Sequence, residues 1–298
     1  MASTIHYQAC PICASESIGK LYEAKDHTVS SQLFEVWRCA NCSGGFTQNV
    51  PDAATIGPYY AAESYVSHTD SKKGFINFVY HKVRSYALLT KKKLVTTLAN
   101  KTTGALLDIG AGTGAFVHTM QTGGWQVTGL EPDATAANQA LLKYNIQLQA
   151  ADNIYTIGDH EFDAITMWHV LEHVHNLHGY FKRFGELLQP SGVLVIAVPN
   201  YTSTDASIYG KQWAALDTPR HLYHFSPASM ELLANAHGFT LIAKKAMWFD
   251  AFYVAMLTEQ HKGGSLLKAI LVGLWSNITA LVDVNKCSSV IYAFKKSN

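Results

Sequence analysis

The stretch "ALLDIGAGTGAF", residues 105–116, changes character twice within one short segment. An apolar run of strand type ends in Asp108-Ile-Gly110-Ala-Gly112-Thr-Gly114, and "AFVHTMQTGG" after it reads as a helix closing in glycine. Glycine in such a turn adopts dihedrals that are costly for other residues and lets a ligand lie against bare backbone at the start of a helix. The spacing is G-x-G-x-G and not G-x-G-x-x-G, so the close-fitting pyrophosphate turn of dinucleotide enzymes is not expected. Glu131 ends the next apolar run, 21 residues beyond Gly110, where an acidic side chain can accept both hydroxyls of a ribose.

Outward from this turn, strand and helix patterns alternate. "QVTGLEP" at 126–132 reads as a second strand, followed by a helix from Asp133 to about Tyr144 and a short third strand over Ile146–Gln149. "FDAITMW", "GVLVIAVPN", "GFTLIAKKAM" and "SSVIYAFKK" supply the fourth to seventh strands. Alternation of this kind predicts a doubly wound α/β sheet with its ligand at the carboxyl ends of the strands. Upstream, residues 49–75 are irregular, with Pro51, Pro58, Tyr59, Tyr60 and Tyr65, and read as a linker that closes over the ligand as a lid. A helical stripe follows from Ile76 to Leu98, with Lys91, Lys92 and Lys93 expected on its solvated face.

The chain has 298 residues and 48% hydrophobic content, enough to bury a large core. With 23 Lys plus Arg against 22 Asp plus Glu, the formal charge of +1 lacks the basic surplus of a nucleic-acid binder, and no nucleic-acid partner is expected. Met1 to Gln8 shows no secretory pattern, which points to the cytoplasm. In that compartment Cys10-Pro-Ile-Cys13 and Cys39-Ala-Asn-Cys42, with 25 residues between them, read as two knuckles of a structural zinc site, making residues 1–48 a zinc ribbon. Cys287 stands apart as an ordinary buried thiol. Near the carboxyl end, about 249–285 is a helical insertion. Its segment 264–284, "GSLLKAILVGLWSNITALVDV", is interrupted by Lys268, Ser276, Asn277 and Asp283 and is not expected to span a bilayer. It can pack over the domain, pair in a homodimer, or lie on a membrane surface.

The sequence resembles the class I S-adenosylmethionine-dependent methyltransferases over roughly residues 100–245. "LLDIGAGTGAF" looks like their first motif, "GLEP" like the acidic end of the second strand, and "FDAITMWHVLEHV" like the fourth strand and its exit. The likeness is closest to the branch of ubiquinone-type, sugar and other small-molecule methyltransferases, some of which carry a four-cysteine module. It implies a Rossmann-like seven-stranded sheet with an antiparallel last strand, occupying residues 76–298. It also implies S-adenosylmethionine as cofactor, S-adenosylhomocysteine as product, and O-methylation of a sugar, quinone-like or natural-product acceptor. Carried over, Gly110, Gly112 and Gly114 would cradle the methionine portion with Asp108 in the same turn, Glu131 would hold the ribose, and Asp152 would meet the adenine amino group. Tyr65 would cover the cofactor from the lid. Two rivals are an RNA methyltransferase using the ribbon to hold nucleic acid, and a non-catalytic binding scaffold.

At the exit of the fourth strand, "MWHVLEHVHN" places His169, Glu172 and His173 at a strand's carboxyl end. Methyl transfer to a hydroxyl needs an aligned acceptor and a group that removes its proton, and histidine titrates near neutrality. Glu172 can orient an imidazole, a metal role for His169 and His173 stays open, and His175 and His178 are expected in solvent. A second group, "PRHLYHFSP" at 219–227, offers His221 as a further catalytic candidate. Arg220 there is read as a substrate or structural ion partner, and Tyr201, Trp213 and Tyr223 as pocket walls. Ser226-Pro227 looks like a helix start.

Overall fold

In the computed structural model, which describes residues 3–60 and 75–297, the chain forms two compact units. Tyr65 and most of the expected lid lie outside the described residues. One unit joins the amino-terminal segment to His169–His178 and Ile196–Tyr292. Here β1 (Thr4–Ile5) pairs antiparallel with β5 (Val50–Pro51), and β2 (Ile18–Lys25), β3 (Leu33–Cys39) and β4 (Gly45–Thr47) form a meander with Ile18 opposite Cys39 and Trp37 opposite Phe46. The residue after each C-x-x-C knuckle, Ala14 and Ser43, has positive φ, which turns the chain back over the cysteines.

The second unit carries the first half of the large sheet. After α1 (Phe75–Ala99) come β6 (Ala105–Ile109), α2 (Ala115–Gln121), β7 (Gln126–Leu130), α3 (Ala134–Tyr144) and β8 (Phe162–Trp168), then α4 (Leu177–Leu187) and β9 (Leu188–Pro199). Local chemistry sets these ends. Asp133 caps α3 by accepting the Ala136 N–H at 2.7 Å, and Asn145 closes it in the left-handed region. β6 runs parallel to both β7 and β8, with Asp108 opposite Gly129 on one side and Thr166 on the other. The chain therefore reverses its direction of sheet growth at β6, where an open sheet forms its ligand crevice.

Back in the first unit are α5 (Thr204–Tyr209), β10 (Tyr223–His224), α6 (Pro227–Ala236), β11 (Phe239–Ala246), α7 (Asp250–Lys262) and α8 (Leu266–Val282), and the chain ends in β12 (Ser289–Lys296). The large sheet has the order β7-β6-β8-β9-β12-β11 and is mixed, including an antiparallel strand. It has six strands where the sequence reading expected seven. The short strand over Ile146–Gln149 is reduced to Gln149, which bridges Leu130 in parallel. Asn145 spends one residue on a left-handed turn and a 3-10 turn starts at Ala151, leaving too little chain for a ladder.

β10 pairs with β4, so the amino-terminal sheet takes its fourth strand from residues 223–224. α6 begins as the sequence indicates: Ser226 and Ser229 form a reciprocal capping box with Pro227 in the first turn. The helical insertion resolves into α7 and α8. Val254, Ala255, Ala269 and Val272 from this pair share a buried cluster with Ala24, Val36, Tyr209 and Trp213, which ties the insertion to the amino-terminal sheet.

Candidate active site

Three glycines shape the turn after β6. Gly110, Gly112 and Gly114 have φ of 71°, 54° and 74°, the left-handed region that favours glycine. A Cβ on Gly112 would meet nothing within 4 Å, so its backbone faces open space. One on Gly114 would stand 2.8 Å from Ala140 Cβ, so that glycine lets the turn approach α3. Glu131 closes the turn by accepting the Gly112 N–H at 2.6 Å and the Asp133 N–H at 2.9 Å. Burial lifts its pKa while those two amides pull it back. Asp108 is fully buried and accepts the Thr166 hydroxyl at 2.6 Å; burial pushes its pKa up to about 7.

A cavity of about 240 Å³ opens on this turn, lined by Asp108, Gly110, Ala111, Phe116 and Trp168, with Arg84 and Lys91 from α1. Lys91 is not on a solvated face as expected: its ammonium lies 4.3 Å from the centre of the Trp168 ring. Arg84 donates to the Thr113 hydroxyl at 3.3 Å. Bare amides, a ribose-type carboxylate at the strand end and a buried acid with a nearby cation fit an adenosyl amino acid. Asp152 is exposed at the start of a 3-10 turn and does not line this cavity.

The histidine group lies in the other unit and is electrostatically uneven. His169 has a left-handed backbone, φ 59°, with its N–H donated to Ala197 O. Its Nε2 is 3.0 Å from Asp250 and its Nδ1 3.5 Å from Glu172. Burial opposes the imidazolium, but the two carboxylates, Asp250 foremost, outweigh it and hold the pKa at about 10. His173 and His221 are tethered differently. Each Nδ1 faces a main-chain carbonyl, Arg220 O at 3.0 Å and Ala215 O at 2.9 Å, so each Nδ1 carries a proton and each Nε2 is turned away from that carbonyl. Tyr60 Oη also lies 3.0 Å from His173 Nδ1. Burial and the neighbouring His221 push the His173 pKa down to about 4.

Glu172 is 1% exposed and neither carboxylate oxygen has a hydrogen-bond partner among the described residues. Burial raises its pKa, but the surrounding histidines, led by His169, bring it below the usual value. Glu172, His173 and His221 offer ligand atoms within 4.8 Å of one another. One carboxylate and two imidazoles converge here, an arrangement suited to share a proton or to hold a divalent cation.

Comparison with known proteins bears on this geometry. A family profile described as a methyltransferase domain matches residues 80–244, more than half of the chain. The chain belongs to the methyltransferase-domain family. Among curated relatives of this chain, the ubiquinone biosynthesis O-methyltransferase of Azorhizobium caulinodans is 25% identical over 158 residues, covering 49% of this chain and 62% of that protein. A demethylmenaquinone methyltransferase of Tropheryma whipplei is 27% identical over 161 residues, 52% of this chain and 64% of the other. The chain thus spans about three-fifths of the length of the curated relatives it matches. Phosphoethanolamine N-methyltransferase 2 of Haemonchus contortus, solved with phosphomonomethylethanolamine and S-adenosylhomocysteine, shares the fold at a TM-score of 0.53, with 15% identity over 85% of this chain and 63% of that one.

The four paired cysteines of the amino-terminal segment meet as the knuckles suggest. Cys10 and Cys42 sulfurs lie 3.6 Å apart and those of Cys13 and Cys39 3.7 Å. A tetrahedral ion with bonds of about 2.3 Å sets its sulfurs about 3.8 Å apart, so the donor set fits zinc. Without a cation the thiols cannot ionise together: the hydrogen bond from Cys42 pulls Cys10 down to about 5 while Cys42 is pushed up. Cys287 is buried and unpaired with any cysteine, and burial raises its thiol to about 11.

Several side chains take other places than the sequence reading gave them. Tyr201, Trp213 and Tyr223 are buried: Tyr201 donates to Ser43 O, Trp213 to Asp205 at 2.7 Å, and Tyr223 to His175 O at 3.2 Å. All three are core residues, and none of them lines the cavity beside the glycine turn. Arg220 takes the structural one of its two readings: 1% exposed, it holds Asp217, Asp26 at 3.3 Å and the Tyr59 carbonyl at 3.0 Å. His175 meets Pro51 O at 3.0 Å instead of solvent. His178 is exposed, with His237 at 2.8 Å and Pro11 O at 3.0 Å. Asp26 and Asp250 were missed because each comes from a segment distant in sequence and carries no motif, and Tyr60, named only within the linker, reaches His173.

Proposed function

We propose that this protein transfers a methyl group from S-adenosylmethionine to a hydroxyl of a small-molecule acceptor, with a quinone-like ring as the leading class. The observation that carries the reading is the glycine turn: three left-handed glycines tied to Glu131, in a chain of the methyltransferase-domain family. The names of the relatives, two quinone-related methyltransferases, support the acceptor class. Gly110, Gly112 and Gly114 would offer bare backbone to the methionine portion and Asp108 a carboxylate to its ammonium. Glu131 would exchange its amide partners for the ribose hydroxyls, with Asp152 a candidate for the adenine side and Tyr65 for the cover.

When bound, S-adenosylmethionine supplies a methyl carbon already activated by positive sulfur. What remains for the chain is to orient the acceptor and remove its proton. His173, held neutral by burial with a lone pair on Nε2, suits the base, and His221 is the second imidazole beside it. Glu172 would stabilise the imidazolium that forms, while His169, charged and clamped by Asp250, would orient Glu172. The assignment rests on chain order, because Trp168 of the cavity and His169 are consecutive. A second reading has one observation in its favour: the converging Glu172, His173 and His221 would equally hold a divalent ion that lowers the pKa of the acceptor hydroxyl. The four cysteines are proposed to hold one structural zinc.

Calorimetric titration with S-adenosylhomocysteine, with NAD as control, tests the cofactor. Release of S-adenosylhomocysteine is then followed against phenolic, sugar and RNA acceptors. Saturable binding and turnover on a phenolic hydroxyl are expected, with His173→Ala losing turnover but keeping cofactor affinity. Turnover on RNA alone would overturn the small-molecule reading. Recovery of chelator-treated activity by magnesium would select the metal variant over the proton acceptor.

A further inference from the structure

The last helix, α8, faces the wrong way for a protein surrounded by water. Along α8 the groups turned inward include the polar ones: Ser276 donates to Asp205 at 2.9 Å and Thr279 meets the Thr204 hydroxyl at 2.6 Å. Ala269, Val272, Gly273 and Ala280 complete that buried side. The outward side is apolar. Leu267, Leu271, Leu274, Ile278 and Leu281 recur at three- and four-residue steps and are all exposed, up to 74% at Leu281, with Trp275 at their edge. Trp248, whose carbonyl accepts from Asn277 at 2.7 Å, extends this surface beyond the helix. An uninterrupted apolar stripe of this extent marks an interaction site.

The charges around it choose the partner. Lys262 and Lys268 are exposed before and at the start of α8, Lys286 just after its end, and Lys245 precedes Trp248. Lys268 is balanced by the buried Glu259 at 3.2 Å, but among the described residues no carboxylate pairs with Lys245, Lys262 or Lys286, and Asp283 turns back to accept the Asn285 N–H. A second copy docked on this face about a two-fold axis would bring lysine ends against lysine ends, whichever way the helices ran. An anionic surface has the opposite sign. Tryptophans and lysines at the rim of an apolar stripe are the side chains suited to a headgroup layer, with the lysine stems lying along apolar surface.

We propose that this face binds a membrane surface carrying anionic headgroups, with α8 lying in the interface plane. None of the described helices is long and apolar enough to cross a membrane, so the helix rests on the bilayer and does not span it. The proposal is independent of the reading of the active site.

Sedimentation with vesicles of phosphatidylcholine alone and of phosphatidylcholine with phosphatidylglycerol tests it, using the full chain. Binding to the mixed vesicles is expected to be at least about tenfold tighter than to neutral ones, and to weaken with salt. Leu271→Glu with Leu274→Glu should abolish it while the unfolding midpoint stays in place, and Lys262→Glu with Lys286→Glu should remove the preference for anionic lipid. Equal recovery in the supernatant with both vesicle types would overturn the proposal. So would a dimer by sedimentation equilibrium that dissociates in the Leu271→Glu variant.

Discussion

Gly112→Ala and Gly114→Ala form a matched pair whose outcomes the turn geometry separates. At Gly112 the added methyl meets nothing, so the cost is the left-handed backbone alone, φ 54°. That strain is about 1–2 kcal/mol, offset by about 0.4–1 kcal/mol from a stiffer unfolded chain, leaving a net loss of about 1 kcal/mol. A loss of that size lowers the unfolding midpoint by about 2–4 °C in a domain of this size. At Gly114 the backbone strain is similar, φ 74°, but the methyl also lies 2.8 Å from Ala140 Cβ, which α3 holds in place. Overpacking adds about 1–3 kcal/mol, so this variant should lose two to four times as much stability, roughly. Scanning calorimetry reads the first quantity and titration with S-adenosylhomocysteine the second. Gly112→Ala should fold nearly as well as the parent yet bind at least about tenfold more weakly, because its methyl enters the space where backbone meets ligand. Unchanged affinity in Gly112→Ala would refute the cofactor role of the turn, and equal midpoint losses in the two variants would refute the steric reasoning.

Arg220→Met removes the guanidinium from buried Asp26, which keeps the Thr28, Val29 and Ser30 amides, so urea unfolding should show a loss of about 1–3 kcal/mol. His169 has a folded pKa above its ordinary value, about 10 against 6.5, so its contribution to stability is complete below pH 6.5 and is lost as pH rises through about 10. Asp250→Asn should flatten that part of the stability profile. Asp108 has the opposite effect: with a folded pKa of about 7 against an ordinary 3.8, its ionisation costs stability progressively from about pH 4 to 7 and fully above that. Asp108→Asn should therefore unfold at a higher temperature than the parent at pH 8, an advantage that fades at pH 4, while S-adenosylhomocysteine binding weakens.

The sequence by itself determined what depends on neighbours in the chain. Strand runs are apolar because both faces of a central strand are buried, and β8 coincides with "FDAITMW" residue for residue. Left-handed turns need glycine, so the turn after β6 was legible from Gly110, Gly112 and Gly114. Caps are local hydrogen bonds, so Asp133 and Ser226 announced α3 and α6. The cysteine spacing likewise indicated four sulfurs that meet, since each knuckle is a local loop and only one pairing of loops is needed. What the tertiary structure alone decided depends on contacts between distant segments. Tyr223–His224 completes the sheet begun by residues 18–47, and Arg220 is buried against Asp26 in the turn after its first strand, which selects the structural reading of that arginine. Periodicity placed Lys91 on a helix but not which side the sheet would cover, and it lies over Trp168. The charge of a histidine is likewise not a property of its own position. Asp250, 81 residues further along the chain, makes His169 a cation, while burial keeps His173, four residues from it, neutral. Ionisation is set by every carboxylate and every excluded water around the ring, and only the folded chain brings those together.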